Sequence, residues 1–250
     1  MTIDTTFKSG GITLGAQNQL LRGLPTIPPL ENGDRLTRSE FERRYQAMPW
    51  LKKAELIEGV VYMGSPVRFD VHAEPHGLVV TLLGLYRIST PGIKMGDNGT
   101  LRLDADNEPQ PDVMLCLDPR AGGASRIGED GYIEGPPELV IEIAASSATY
   151  DLREKRTVYR RNGVREYAVW LIYDQRFEWW VLREGEYQPL IPDAAGIFRS
   201  EAFPGLWLDA LALLTDDQTK ALTTMQRGLS SDEHATFVAQ LTTRLSSVGT

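Results

Sequence analysis

The order of elements in this chain predicts an α/β fold, a mixed sheet covered by helices, and three observations carry that expectation. Residues 138–144 and 164–172 are strongly apolar runs of strand length, separated by a basic helical segment over 149–162. A second stripe, Leu78, Val79, Leu82, Leu83 and Tyr86, recurs at helical period. Shorter apolar runs divided by turn residues lie on either side, so strands and helices follow one another in mixed order.

Residues 1–35 are rich in Gly, Pro, Thr and Asn, and Pro25, Pro28 and Pro29 interrupt any regular pattern, which predicts an extended arm. Thr37 followed by Glu40 has capping-box spacing, and Phe41, Tyr45 and Met48 recur at helical spacing toward Trp50, predicting a first helix. Residues 55–63 predict a strand interrupted by Gly59 and ended before Pro66. Pro75 suits the first residue of the next helix, because its missing N–H is unsatisfied there in any case. Short strands at 93–95 and 100–103 lead to a strand carrying Asp112, and the glycine-rich stretch 119–135 predicts a long loop.

The run 138–144 is apolar except for Glu142, as expected of a strand buried on both faces. Gly163 stops the helix over 149–162. Residues 164–172 and 177–182 are further strands, whose Tyr167, Trp170, Trp179 and Trp180 are expected in the core. Ser230 with Glu233 repeats the capping-box spacing before a stripe of Phe237, Leu241, Leu245 and Val248, a docking or oligomerisation helix. The resulting division is an arm over 1–35, one domain over 36–210 and a helical extension over 211–250, within the length of a single well-packed core.

Composition narrows the function classes. No apolar run approaches membrane-spanning length, and the N-terminus lacks the basic-then-apolar order of a secretory signal, so a cytoplasmic location is expected. Cys116 is the single cysteine, which excludes an internal disulfide and a cysteine-based zinc cage. A net charge of −8 argues against a protein coated in cations. Between Asp151 and Glu166, however, stand Arg153, Lys155, Arg156, Arg160, Arg161 and Arg165, opposed inside that span only by Glu154. Arg153, Arg156 and Arg160 are the candidate phosphate contacts, although arginines near a helix C-terminus also suit the helix dipole without any ligand.

Glu142 is the most informative residue, because a carboxylate inside a sheet is costly to desolvate unless it is paired or bound to a metal. Asp112, in Gln110-Pro111-Asp112-Val113, is the second acid, and carboxylates on neighbouring strands can share a divalent cation. Asp151, Lys155 and Tyr159, four apart, share a helical face, so an inward Lys155 can reach that pair. His72 and His76 form His-x-x-x-His, but Pro75 between them and the absence of His-Glu-x-x-His argue against zinc; His76 is placed to line a cleft. The chain has no Gly-x-Ser-x-Gly, no phosphate-binding Gly-x-x-x-x-Gly-Lys and no Gly-x-Gly-x-x-Gly after a strand.

Taken together, Pro111-Asp112-Val113, Glu138-Leu-Val-Ile-Glu142-Ile143, Asp151-x-x-x-Lys155 and Tyr159-x-x-x-Gly163-Val-x-Glu-Tyr167 resemble the Uma-two family of restriction-endonuclease-like proteins, within the PD-(D/E)xK nuclease superfamily. The resemblance covers most of residues 35–210. It implies a three-layer α/β/α core and a Mg²⁺-dependent DNA endonuclease, with Mn²⁺ as a substitute ion. The metal would be held by Asp112, Glu142 and the main-chain carbonyl of Ile143, and lysine would assist the attacking water. An upstream acid often completes such a site; Glu55 is the better match and Glu58 the second. Ala144 stands where the simplest superfamily motif has its lysine, and the family resemblance points to Lys155, one helix later, as its replacement. A homodimer is expected where both strands of a duplex are cut. The alternative is a catalytically silent nuclease-like scaffold that binds nucleic acid or a protein partner, motivated by Ala144, Ala145 and the acidic surface.

Overall fold

The computed structural model describes residues 27–64 and 66–247. Most of the expected arm, with Pro25, and also Val248 of the last stripe lie outside those residues. From residue 30 the chain is already packed: Leu30 is buried with Phe41 and Val61, and the Gly33 N–H donates to the Val61 carbonyl at 2.8 Å.

Helix α1 spans Arg38–Gln46 and precedes the hairpin β1 (Ala54–Ile57) and β2 (Val60–Met63). Thr37 occupies the N-cap position but makes no capping bond; its hydroxyl meets Ser39 instead, while Glu40 binds Arg43 and Arg44. The capping box expected there is therefore replaced by an ion-pair cluster. A π-type turn, Phe69–Ala73, opens α2 (Glu74–Ser89), so the helical run starts earlier than Pro75 suggests. No apolar periodicity marks that turn, and none of its side chains is buried.

Six strands form the central sheet: β3 (Ile93–Asp97), β5 (Val113–Leu117), β8 (Leu139–Ala144), β9 (Glu166–Leu171), β10 (Arg176–Arg183) and β11 (Glu186–Pro189), in the order β11-β10-β9-β8-β5-β3. Only β8 and β9 pair in parallel, because the helical crossover of 148–161 joins them; every other neighbour is antiparallel. The stretch 119–135 is not loop throughout, since β6 (Arg126–Ile127) and β7 (Ile133–Glu134) pair there, and β7 also pairs with β4 (Leu101–Arg102). Strands of two residues are too short to leave a period in the sequence.

Side chains alternate across the sheet and separate two cores. Val113, Leu115, Leu139, Ile141, Ala168 and Trp170 face α2 through Val79, Leu82, Leu83 and Tyr86. Met114, Cys116, Val140, Ala144, Tyr167 and Val169 face the opposite layer through Tyr159 and Val164. Helices on both sides of one mixed sheet give the three-layer architecture expected. The hairpin β12 (Ile197–Arg199) and β13 (Trp207–Asp209), with α5 (Ala210–Leu214), α6 (Gln218–Leu229) and α7 (Asp232–Ser247), extends the first core through Phe198, Leu208, Leu213, Met225 and Leu241. The last helix thus docks on its own chain. Gly205 and Gly228 let α6 approach closely, since a Cβ on Gly228 would sit 2.3 Å from the Gly205 carbonyl oxygen.

Glu233 does not close a capping box with Ser230. It accepts from the Gly205 N–H at 3.2 Å and the Trp207 indole at 2.6 Å, and Ser231 caps the helix by accepting from the His234 N–H.

Candidate active site

The register of β5 and β8 assembles the carboxylate pair. Val113 faces Ile141 in the antiparallel ladder, which sets Asp112 opposite Glu142 just where the ladder ends. Beyond that pair the two side chains take over backbone hydrogen bonds: the Ile143 N–H donates to Asp112 Oδ2 at 2.8 Å, and the Asp112 N–H donates to Glu142 Oε2 at 3.3 Å. Both acids are buried, at 4% and 2% exposure. They are thereby fixed by main-chain geometry rather than by long flexible side chains.

The lysine arrives from the next layer. Helix α3 (Ala148–Tyr150) passes through a π-type turn, Asp151–Lys155, into α4 (Arg156–Arg161). The turn is pinned by the Tyr167 hydroxyl, which donates to the Asp151 carbonyl at 3.0 Å. Asp151, Lys155 and Tyr159 all point inward and are buried. Lys155 Nζ lies 3.0 Å from Glu142 Oε1, 2.9 Å from Glu55 Oε1 and 3.7 Å from Asp151 Oδ1. The Tyr159 hydroxyl donates to the same Glu142 oxygen at 2.9 Å. Glu55, on β1, is held by the Gln110 N–H at 2.7 Å, whereas Glu58 is exposed and paired with Arg161 at 2.9 Å. Of the two upstream acids, only Glu55 faces the cluster.

Burial raises the Glu142 carboxyl above its ordinary range, and Asp112, Asp151 and Glu55 add to the shift while Lys155 opposes it. Asp151 is raised for the same reason, again against Lys155. Burial works against the ammonium of Lys155, yet Glu142, Glu55 and Asp151 outweigh it and hold its pKa well above the usual lysine value. Three carboxyl groups, those of Glu55, Glu142 and Asp151, lie within 4 Å of the buried ammonium.

The cluster floors a cleft of about 390 Å³, whose mouth includes Lys53, Arg68, His72 and Tyr173. Lys53 Nζ and His72 Nε2 approach the outward oxygen of Asp112 at 3.4 and 3.6 Å, and His72 Nδ1 faces the Ile143 carbonyl at 3.1 Å. His76 lies beside these groups, 3.1 Å from the Asp112 carbonyl and 3.1 Å from Asp97. Sequence reasoning passed over Lys53, although it stands two residues before Glu55 and so shares its face of an extended segment. It weighed His72 only as a zinc ligand. Arg153, Arg156 and Arg160 are not brought to the cleft. They lie on the helix face away from Lys155: Arg160 binds Glu186 at 2.6 Å, Arg156 covers the Trp180 ring at 5.1 Å, and Arg153 is exposed.

The donors available to a cation are all oxygens: Asp112 Oδ1, the Glu142 carboxylate and the Ile143 carbonyl. Hard oxygen donors suit Mg²⁺, which takes few protein ligands and keeps several waters. Asp112 Oδ1 has only the long contacts to Lys53 and His72, while its other oxygen is engaged by the Ile143 N–H. Among the described residues no three His, Cys, Asp or Glu side chains form a closed metal cage, so an ion here would rest on two carboxylates and one main-chain carbonyl.

A model of the Uma2 family, described as "Putative restriction endonuclease", matches residues 38–212. The chain belongs to the Uma2 family. A crystal structure described as a "putative nuclease" from Anabaena variabilis ATCC 29413 superposes with a TM-score of 0.53 at 15% identity, covering 69% of this chain and 96% of that one. The chain thus has the restriction-endonuclease-like fold that the resemblance of its motifs implied. No curated protein matches the chain. Among the described residues no helix is long and apolar enough to cross a membrane.

Proposed function

We propose that this Uma2 chain is a DNA endonuclease that hydrolyses phosphodiester bonds with a divalent cation, Mg²⁺ or Mn²⁺, in the cleft over Asp112 and Glu142. The observation that carries the reading is the delivery of Lys155 Nζ to within 3.0 Å of Glu142 from a different layer of the fold. A carboxylate pair at a splayed strand end, with a lysine beside it, matches the needs of phosphoryl chemistry. The missing Glu-x-Lys lysine at Ala144 is thereby replaced in space, though not in sequence.

Asp112 Oδ1, Glu142 and the Ile143 carbonyl would hold the ion, which when bound lowers the pKa of water and neutralises phosphate charge. The carboxyl oxygens gathered around Asp112 and Glu142 support cation binding there. Lys155 positions the attacking water and faces the charge that builds on the phosphate. Glu55 and Asp151 keep that lysine charged, and Tyr159 fixes the Glu142 rotamer by donating to Oε1. Lys53, half-exposed beside Asp112, is placed to meet a substrate phosphate. A homodimer would supply two such sites for cutting both strands.

The test is nicking of supercoiled plasmid in Mg²⁺ or Mn²⁺ by wild type, Asp112→Ala and Glu142→Ala. Nicking by wild type and not by the variants supports the assignment, and activity surviving both substitutions overturns it. The second reading, a silent scaffold, draws on one feature: Lys155 already acts as the counter-ion of Glu55 and Glu142. Mn²⁺ calorimetry separates the two, since a silent scaffold takes up no ion that depends on Asp112 and Glu142.

A further inference from the structure

We propose that the mouth of the cleft carries a stacking platform for unpaired bases, formed by Tyr173 and Arg68 beside Val67, and that the substrate class is single-stranded or locally unpaired DNA. The substrate assignment rests on the nuclease reading above; the platform itself is a binding surface that can be tested without cleavage.

Val67 and Tyr173 are 65% and 59% exposed. Large apolar side chains gathered in this way mark an interaction site, because each leaves ring or branched carbon surface in water. Val67 and Tyr173 both line the cleft that holds Asp112 and Glu142. They come from segments far apart in the chain, joined where Arg68 approaches the Tyr173 hydroxyl at 3.4 Å across a separation of 105 residues. The rim therefore combines an aromatic face with a guanidinium that is 66% exposed on its side chain and only surface-paired with Asp70.

Charge decides which nucleic acid suits this rim. Non-specific duplex binding rests on neutralising many phosphates. The chain carries a net −8, and its basic helix is turned away and engaged with Glu186, Glu58, Asp104 and Trp180. Outside the buried cluster, the lysines and arginines lining the cleft are Lys53 and Arg68. With few phosphate contacts available, base stacking must supply much of the affinity, and only an unpaired strand offers its base faces. A cleft of about 390 Å³ is also of the size that encloses a small ligand, narrow for a duplex.

The experiment is fluorescence anisotropy of the full chain, in EDTA, with a labelled single-stranded oligonucleotide and with the same sequence as a duplex. Wild type is expected to hold the single strand about tenfold more tightly or better. Tyr173→Ala and Arg68→Ala should each weaken it about fivefold or more, as loss of one stacking partner requires, and Tyr173→Trp should keep the binding that Tyr173→Ala loses. These positions are exposed, so the substitutions leave the fold intact. Equal or tighter duplex binding, or single-strand affinity unmoved by both alanine variants, overturns the proposal. Binding to neither form also overturns it. If nicking depends on Asp112 but single-strand binding ignores the rim, the platform fails and the nuclease reading stands. Rim-dependent single-strand binding without any nicking leaves the platform and removes the nuclease.

Discussion

Replacing Lys155 by methionine should be among the most destabilising single changes in the chain, although it inserts an apolar residue of similar length into a buried position. Lys155 is 3% exposed and meets Glu142 and Glu55 at 3.0 and 2.9 Å, with Asp151 at 3.7 Å. At an effective dielectric of about 20, a unit-charge contact near 3 Å is worth about 5 kcal/mol before desolvation. Desolvation offsets much of that, and removing one partner of a buried pair costs about 3–5 kcal/mol because the remaining charge is left uncompensated. Against a total stability of about 5–15 kcal/mol, that is a large share. Urea unfolding followed by tryptophan fluorescence measures it, with Arg153→Met, an exposed change on the same turn, as the control expected within about 0.5 kcal/mol. Mn²⁺ should stabilise Lys155→Met more than wild type, because a cation can take the place of the lost ammonium. A loss below about 1 kcal/mol would refute the claim that this lysine neutralises the carboxylate cluster.

Glu166→Ala should cost about 3 kcal/mol or more in the same urea assay, since Glu166 is fully buried and accepts from the Glu201 and Ala202 N–H groups, the Ser200 hydroxyl and the Trp179 indole. Burial first, and Glu42 next, push Glu108 from its ordinary 4.5 up to about 8 against the pull of Arg102. A carboxyl raised on folding contributes stability that is complete below its unfolded value and is lost as pH climbs through the folded one, so wild type should weaken between about pH 5 and pH 8, and Glu108→Gln should flatten that fall in urea midpoint. Arg160→Ala should leave DNA affinity within about twofold, because its guanidinium already binds Glu186, whereas Lys53→Ala should weaken binding severalfold and reduce the salt slope by about one.

The site was legible in the sequence where chemistry and periodicity agreed. Glu142 stood out as a charge inside an apolar strand, and Asp112 lies opposite it because the ladder pairs Val113 with Ile141. Lys155 was placed by its four-residue spacing from Asp151 and Tyr159, although the backbone between Asp151 and Lys155 is a π-type turn rather than a regular helix. The inward face survives that distortion because Tyr167 anchors the Asp151 carbonyl. What the sequence hid was direction. A run of arginines looks like a phosphate grip until the inward turn of Lys155 commits Arg153, Arg156 and Arg160 to the other side. Within the helical extension expected over 211–250, helix α6 has no legible bounds because its buried positions, Ala221, Thr224, Met225 and Gly228, are mostly small or polar and give little hydrophobic contrast. Lys53 and His72 were overlooked as site residues because their neighbours in the cleft come from β5 and β8, distant in sequence, and only the sheet register brings them near.

The proposal that Asp112 and Glu142, with Lys155 supplied one helix later, make a cation-dependent phosphodiesterase is decided by the rate of plasmid nicking by wild type and by Glu142→Gln, a change that keeps the side chain's shape, as Mg²⁺ is added and then removed with EDTA. Nicking by wild type should appear with the cation, stop with EDTA and fall about a hundredfold or more in Glu142→Gln. Nicking that persists in EDTA or at the wild-type rate in the folded variant, or no nicking by wild type at all, contradicts it.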